Sequence, residues 1–154
     1  MRELSIIPCG RKKIWDKYPD LGPVPAGNAY TGTLHTLCRK YAEKYTDDWV
    51  ILSAKHGFLS EDDLVEGQYD VTFGQKSNEI ISFAKLREQI KEKGLDQYDN
   101  LVVLTGKKYK PVINGTFIDD LPRTYPLTRY KGIGYILQAL NQSIKSGEPI
   151  HEKK

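Results

Sequence analysis

Three short apolar runs, each opening into a polar loop that carries glycine and lysine, constrain this chain more than any other feature. They are Leu4 to Ile7, the WVILS stretch at 49–53 and the NLVVL stretch at 100–104. Each is too short for a buried helix and suits a strand covered on both faces. Helical patterns separate them. Leu34, Leu37, Cys38, Tyr41, Ala42 and Tyr45 recur at the spacing of one buried helical face. A second helix is predicted after a cap at Ser77 or Asn78, with Ile80, Phe83, Ala84, Leu86 and Ile90 inward and Gly94 as its stop. A third runs from about Gly134 to Lys145, with Ile136, Ala139, Leu140 and Ile144 on one face. Strand and helix alternating in this way predict an α/β domain with a mainly parallel sheet and flanking helices, in Rossmann-like layers.

The length of 154 residues suits one such domain, expected over 1–147, with a flexible tail over 148–154. No apolar run approaches the roughly 18 residues that span a membrane, and the first residues do not form a secretory signal. A cytoplasmic protein with no membrane partner is expected. Two cysteines, Cys9 and Cys38, are too few for a disulfide scaffold, and no metal-ligand spacing occurs, so neither a metal nor a cofactor is called for. The net charge of +3 permits an anionic ligand without demanding nucleic acid.

In an open parallel sheet, ligands bind beyond the carboxyl ends of the strands. The first strand ends in Pro8-Cys9-Gly10-Arg11-Lys12-Lys13, the second in Ser53-Ala54-Lys55-His56-Gly57, and the third in Thr105-Gly106-Lys107-Lys108-Tyr109. Parallel strands would open all three loops on one rim. Glycines let backbone N–H groups approach an anion, and lysines add charge. Neither a P-loop nor a G-x-G-x-x-G fingerprint is present. Ligand contacts are therefore expected from Gly10, Lys12, Lys13, Ser53, Lys55, Gly57, Thr105, Gly106 and Lys107, with Arg129 adding a cation from the C-terminal loop.

Cys9 has two readings. A cysteine after a buried strand is most often a small apolar filler. The adjacent Arg11, Lys12 and Lys13 would also stabilise a thiolate, and His56 at the end of the next strand is the expected acid–base partner of a nucleophile. Cys38 falls on a helical apolar face and reads as core, His35 as surface or packing, and His151 as part of the tail. Gln68-Tyr69-Asp70-Val71-Thr72-Phe73 also reads two ways. It could fold over the rim, with Tyr69 stacking on a ring and Asp70 and Thr72 bonding to it. It could equally be an edge strand with Tyr69, Val71 and Phe73 inward. Tyr30 and Gly32 precede the first long helix, where Thr31 or Thr33 is the expected cap and the free amides could hold an anion.

The stretch from Ile51 to Leu59, followed by Asp63 and Tyr69-Asp70-Val71-Thr72, resembles the YaaA family, bacterial proteins linked to peroxide stress and DNA binding. The pattern PCGxxKxW (8–15), AYxG (29–32), LSAKxGxL (52–59) and YDxT (69–72) is similar to a small uncharacterised bacterial and phage family that looks like a shortened YaaA core. Pro8, Cys9 and Lys13 also resemble the core motif of archaeosine synthase, which modifies a deazaguanine base in transfer RNA. These resemblances imply a YaaA-like α/β fold and a link to nucleic acids, nucleotides or bases.

Three functions follow as expectations. One is a base-modifying or glycosyl-transfer enzyme with Cys9 as nucleophile, His56 as acid or base and Asp70 positioning a base or sugar. Another is a non-catalytic binder of a nucleotide or nucleotide-derived signal, such as a phage sequestering protein. The third is a nucleic-acid-binding stress protein.

Overall fold

The computed structural model of the chain describes residues 1–152. The first apolar run forms β1 (Glu3–Pro8), and all six of its residues are buried. Both faces of this strand are therefore covered, as its unbroken apolar character predicts. Next come a two-residue strand, β2 (Val24–Pro25), one helical turn, α1 (Ala26–Ala29), and the long helix α2 (Thr33–Tyr45). β3 (Asp48–Ser53), β4 (Gly57–Leu59) and β5 (Leu64–Val65) follow, then α3 (Phe83–Lys93), β6 (Asn100–Val103), α4 (Lys110–Thr116), β7 (Arg123–Thr124) and α5 (Ile133–Ser146).

The main sheet has the order β4-β3-β1-β6-β7, and β2 and β5 form a separate antiparallel pair. β1 runs parallel to both β3 and β6, with Ile6 opposite Val50 on one side and Val103 on the other. β7 is parallel to β6, and only β4 is antiparallel. The expected α/β layering with a mainly parallel sheet is what forms. α2 packs on β1, β3 and α5, while α3 packs on β4 and α4. The three predicted strands therefore deliver Cys9, Ser53 and Thr105 to one rim, and the pairing of Pro8 with Leu52 brings Cys9 level with Ser53.

Several local expectations are corrected. α3 begins at Phe83, capped by Ser82, whose Oγ accepts the Lys85 N–H at 3.1 Å. Residues 77–82 form turns and irregular backbone instead, and the Ile81 N–H donates to the Ala54 carbonyl at 2.8 Å. Gly94 ends α3 at φ 67°, as expected. Neither Thr31 nor Thr33 caps α2; Gly32 is its N-cap and provides no side chain. α4 was not legible as a helix, although Pro111 in its first turn and the buried Val112, Ile113 and Thr116 carry a weak signal.

The segment from 148, expected to be a flexible tail, instead docks as far as it is described. His151 is 4% exposed, and its Nδ1 bonds to the Tyr41 hydroxyl. The same hydroxyl accepts the Ile150 N–H at 3.0 Å and the His151 N–H at 3.2 Å. Lys153 and Lys154 lie outside the described residues.

Candidate functional site

Gly10, at φ 80°, turns the chain sharply after β1 and leaves Cys9 at the rim. The basic stretch then folds back. The Lys13 N–H donates to the Asp16 carboxylate at 2.9 Å, a β-bridge joins Lys13 to Tyr30, and the Trp15 indole donates to the Gly22 carbonyl at 2.8 Å. This strap holds Lys13 at 4% exposure while Arg11 and Lys12 stay exposed.

A cavity of about 440 Å³ opens where the first and third loops meet the crossing segment 69–75. Cys9, Gly10, Arg11 and Lys13 form one side, Tyr69 to Thr72 and Gln75 another, and Lys108 with Tyr109 the third. A second concavity of about 410 Å³ lies against α5, but its lining contains no cation, thiol or histidine. The first is the better site for a polar, anionic ligand.

Segment 69–75 combines features of both readings made for it. It pairs with no strand, yet Tyr69, Val71 and Phe73 alternate inward at 7%, 5% and 7% exposure while Asp70 is exposed. The inward side chains line the rim instead of extending the sheet. Phe73 packs edge-on against Tyr109, with ring centres 5.6 Å apart.

Tyr69 is the hub. Its hydroxyl bonds to Ser53 Oγ at 2.8 Å and to the Tyr30 hydroxyl. The Lys13 ammonium lies 4.5 Å from its ring centre, and the His56 ring meets it edge-on at 4.9 Å. Burial pushes the phenols of Tyr69, Tyr30 and Tyr109 well above their ordinary range. Burial also raises the Cys9 thiol, against the pull of the Lys13 ammonium, the Tyr69 hydroxyl and nearby backbone amides. The Lys13 ammonium is lowered, chiefly by burial, while Cys9, Asp16 and Asp70 favour its charge.

The expected Cys9–His56 pair is not formed. His56 is half-buried on the second loop and does not line the cavity, and among the described residues no hydrogen bond joins it to Cys9. Its backbone N–H donates to Ser53 Oγ at 3.1 Å, and burial, with Lys55 beside it, lowers its pKa. The second loop is pinned from α3: Gln89 Oε1 accepts the Phe58 N–H at 2.8 Å, and its Nε2 donates to the His56 carbonyl at 2.9 Å. Gly57 sits inside this clamp at φ 76°, so its role is close packing and not ligand contact.

Other expected contacts are also redistributed. Lys55 faces Glu79 at 3.8 Å, Lys12 borders separate grooves beside Asp16, and Gly32 starts α2 beside the Lys12 side chain. Gly106 and Lys107 are exposed outside the cavity, while Thr105 is buried behind it. Arg129 is remote from the site and donates to the Ile150 carbonyl at 2.9 Å. Arg11, Lys108, Tyr109 and Gln75 join the cavity although none was among the expected ligand contacts. The clustering of Arg11 and Lys108 with their lysine neighbours was the available signal.

Of the two readings of His35, surface or packing, the structure shows packing. The residue is 2% exposed, and its Nδ1 donates to the Pro8 carbonyl at 2.8 Å, which leaves Nε2 as the unprotonated nitrogen. Nε2 and Thr105 Oγ1 are buried without a hydrogen-bond partner among the described residues.

Among the described residues, no group of His, Cys, Asp and Glu side chains could hold a metal ion, and no helix is long and apolar enough to cross a membrane. No solved structure matches the chain. It is similar to the uncharacterized protein YfjM of Bacillus subtilis (strain 168), 53% identical over 145 residues that cover 94% of this chain and 97% of that protein. Residues 4–142, which include every wall of the cavity, match a family of unknown function, and the chain belongs to that family, DUF6884.

Proposed function

We propose that this protein binds a small anionic molecule of nucleotide, nucleoside or nucleobase type in the Cys9 cavity, and that Cys9 reacts with it in a base-modifying or glycosyl-transfer step. The observation that carries this reading is the cavity lining. Two phenol rings, Tyr69 and Tyr109, offer aromatic surface to a planar base, and Arg11, Lys13 and Lys108 outnumber the single carboxylate, Asp70. About 440 Å³ is within the usual range for small-molecule sites, roughly 300–1,000 Å³. The likeness of the PCGxxKxW, LSAKxGxL and YDxT motifs to a shortened YaaA core supports the same ligand class. Cys9 and Cys38 are both free thiols, which supports a reducing, cytoplasmic setting.

One observation favours a second reading, a non-catalytic nucleotide binder. Burial raises the Cys9 thiol and His56 is not paired with it, so the resting group is a thiol. A nucleophile here would depend on Lys13 and Tyr69 to become a thiolate.

A thermal-shift panel of bases, nucleosides and nucleotides tests the shared premise. A ligand at 100 times its Kd adds about 2.7 kcal/mol of stability. Binding with turnover that Cys9→Ser abolishes supports the enzyme, and binding without turnover in either form supports the binder. Silence across the panel with salt-sensitive oligonucleotide binding would replace both with nucleic-acid binding.

A further inference from the structure

The Cys9 cavity does not end at its own walls. Arg11, Tyr69 and Asp70 line it and also line a groove of about 530 Å³, completed by Lys12, Asp16 and Gln68. Lys12 and Asp16 in turn border an outer groove of about 470 Å³ that reaches Lys17, Tyr18 and Thr31. The three concavities share walls in succession, along the strap that runs from Gly10 to Tyr18. Five cations border them, Arg11, Lys12, Lys13, Lys17 and Lys108, against two carboxylates, Asp16 and Asp70. Among the described residues, none of the five cations makes a salt bridge. Asp16 is already engaged, since its two carboxylate oxygens accept the Lys13 N–H and the Gln68 amide. A tyrosine stands at each stage. Tyr109 is in the cavity, Tyr69 is on the wall shared with the first groove, and Tyr18 is in the outer groove at 51% exposure.

We propose that the ligand of the Cys9 cavity is one nucleotide of a single-stranded nucleic acid, and that the two grooves hold the nucleotides next to it. Such a strand alternates phosphate with flat base, and this surface alternates cation with tyrosine. Lysine and arginine side chains without an internal ion pair are free to neutralise phosphates, and phenol rings accept bases of any sequence by stacking. In the outer groove the two come together, with the Lys17 ammonium 5.6 Å from the Tyr18 ring centre. A free mononucleotide would fill the cavity and leave Lys12, Lys17 and Tyr18 unused. A duplex keeps its bases stacked within it, so it would meet the cations and not the rings. An acidic peptide would likewise satisfy the cations alone. This inference names the substrate class of the nucleotide site proposed above and rests on that reading.

Competition against a fluorescein-labelled hexanucleotide, read by anisotropy on the full chain, is the test. The competitors are unlabelled DNA and RNA oligonucleotides of one to six nucleotides, so a preference for either sugar identifies the source of the strand. Affinity is expected to rise at least about tenfold from one nucleotide to three and then to level off. The salt dependence should steepen over the same range, by about 0.7 in log affinity per unit of log salt for each phosphate gained. Tyr18→Ala and Lys17→Ala change exposed positions, so the fold is not at stake. Each should shrink the gain from lengthening, Tyr18→Ala by roughly fivefold or more. An affinity that does not grow with length overturns the proposal and leaves the single-nucleotide site standing. A gain that survives both substitutions also overturns it, because the strand would then run over another surface. Duplex DNA or polyglutamate displacing the label as well as the single strand does would reduce the track to a charged patch, and overturns it too. A hexanucleotide that does not bind overturns it whatever the nucleotide panel gives, so the two failures are told apart.

Discussion

Lys13 Nζ lies 4.5 Å from the centre of the Tyr69 ring while donating to the Arg11 carbonyl at 2.9 Å. A lysine at 4% exposure in such a place is costly to desolvate, and burial is the first cause of its lowered pKa. The fold keeps a cation where an apolar side chain would pack more cheaply, an arrangement that suits the anion-binding role proposed for Lys13.

Lys13→Met should therefore separate binding from stability. The fold should be as stable as the parent or slightly more so, since a buried charge is replaced by an apolar chain of similar length. Affinity for an anionic ligand should fall more than tenfold, because charge-assisted hydrogen bonds contribute about 1.5–3 kcal/mol. Urea denaturation and ligand titration on one preparation check both. A large loss of stability would return Lys13 to a structural role.

Gly57→Ala should destabilise the protein by about 1–3 kcal/mol from backbone strain alone. The new Cβ would also stand 2.7 Å from Ile81 Cδ1 and 2.8 Å from Gln89 Cδ. The clamp that Gln89 places on His56 and Phe58 would have to open. A lowered denaturation midpoint, with faster amide exchange at Phe58, is the expected record.

Tyr41→Phe should release the C-terminal segment. The Tyr41 hydroxyl, pushed up to about 12 chiefly by burial, accepts from the N–H groups of Ile150 and His151. Removing it leaves buried donors unsatisfied, at about 1–3 kcal/mol each. Limited proteolysis should cut near residue 148 in the variant before it cuts the parent.

Stability should fall on both sides of neutrality. His35 and His56 have pKa values lowered from 6.5, so the unfolded chain takes up their protons first as pH drops. Stability from these groups is complete above about 6.5 and lost below it. Cys9 and Cys38 are raised from 9.0, and Tyr30, Tyr69 and Tyr109 from 10.0, so stability is lost as pH rises past those values. Denaturation from pH 5 to 10 should give a plateau with two falling limbs. His35→Gln should flatten the acid limb by at most about 1.4 kcal/mol per pH unit, the limit for one proton. An acid limb unchanged in that variant would assign it to His56 and the carboxylates.

The elements with strong local periodicity were legible in the sequence. β1, β3, β6, α2 and α5 carry unbroken apolar runs or a continuous helical face, and their ends move by only a residue or two. The short elements were not. β4 has three residues and β7 two, and α4 has seven with Gly115 inside it. Elements of that length are held by their neighbours, not by their own propensity.

By itself the sequence determined a mainly parallel sheet whose carboxyl rim would carry Cys9, Ser53 and Thr105, because apolar periodicity is local and a helix between two strands makes a parallel crossover. Only the tertiary structure decided which side chains meet at that rim. Tyr69 came to line one cavity with Cys9 and to meet the His56 ring, Lys13 was buried, Lys55 turned to Glu79, and His151 docked on Tyr41 across 110 residues. Those choices depend on how loops distant in sequence share the space left by the packed layers. No pattern within any one loop contains that space.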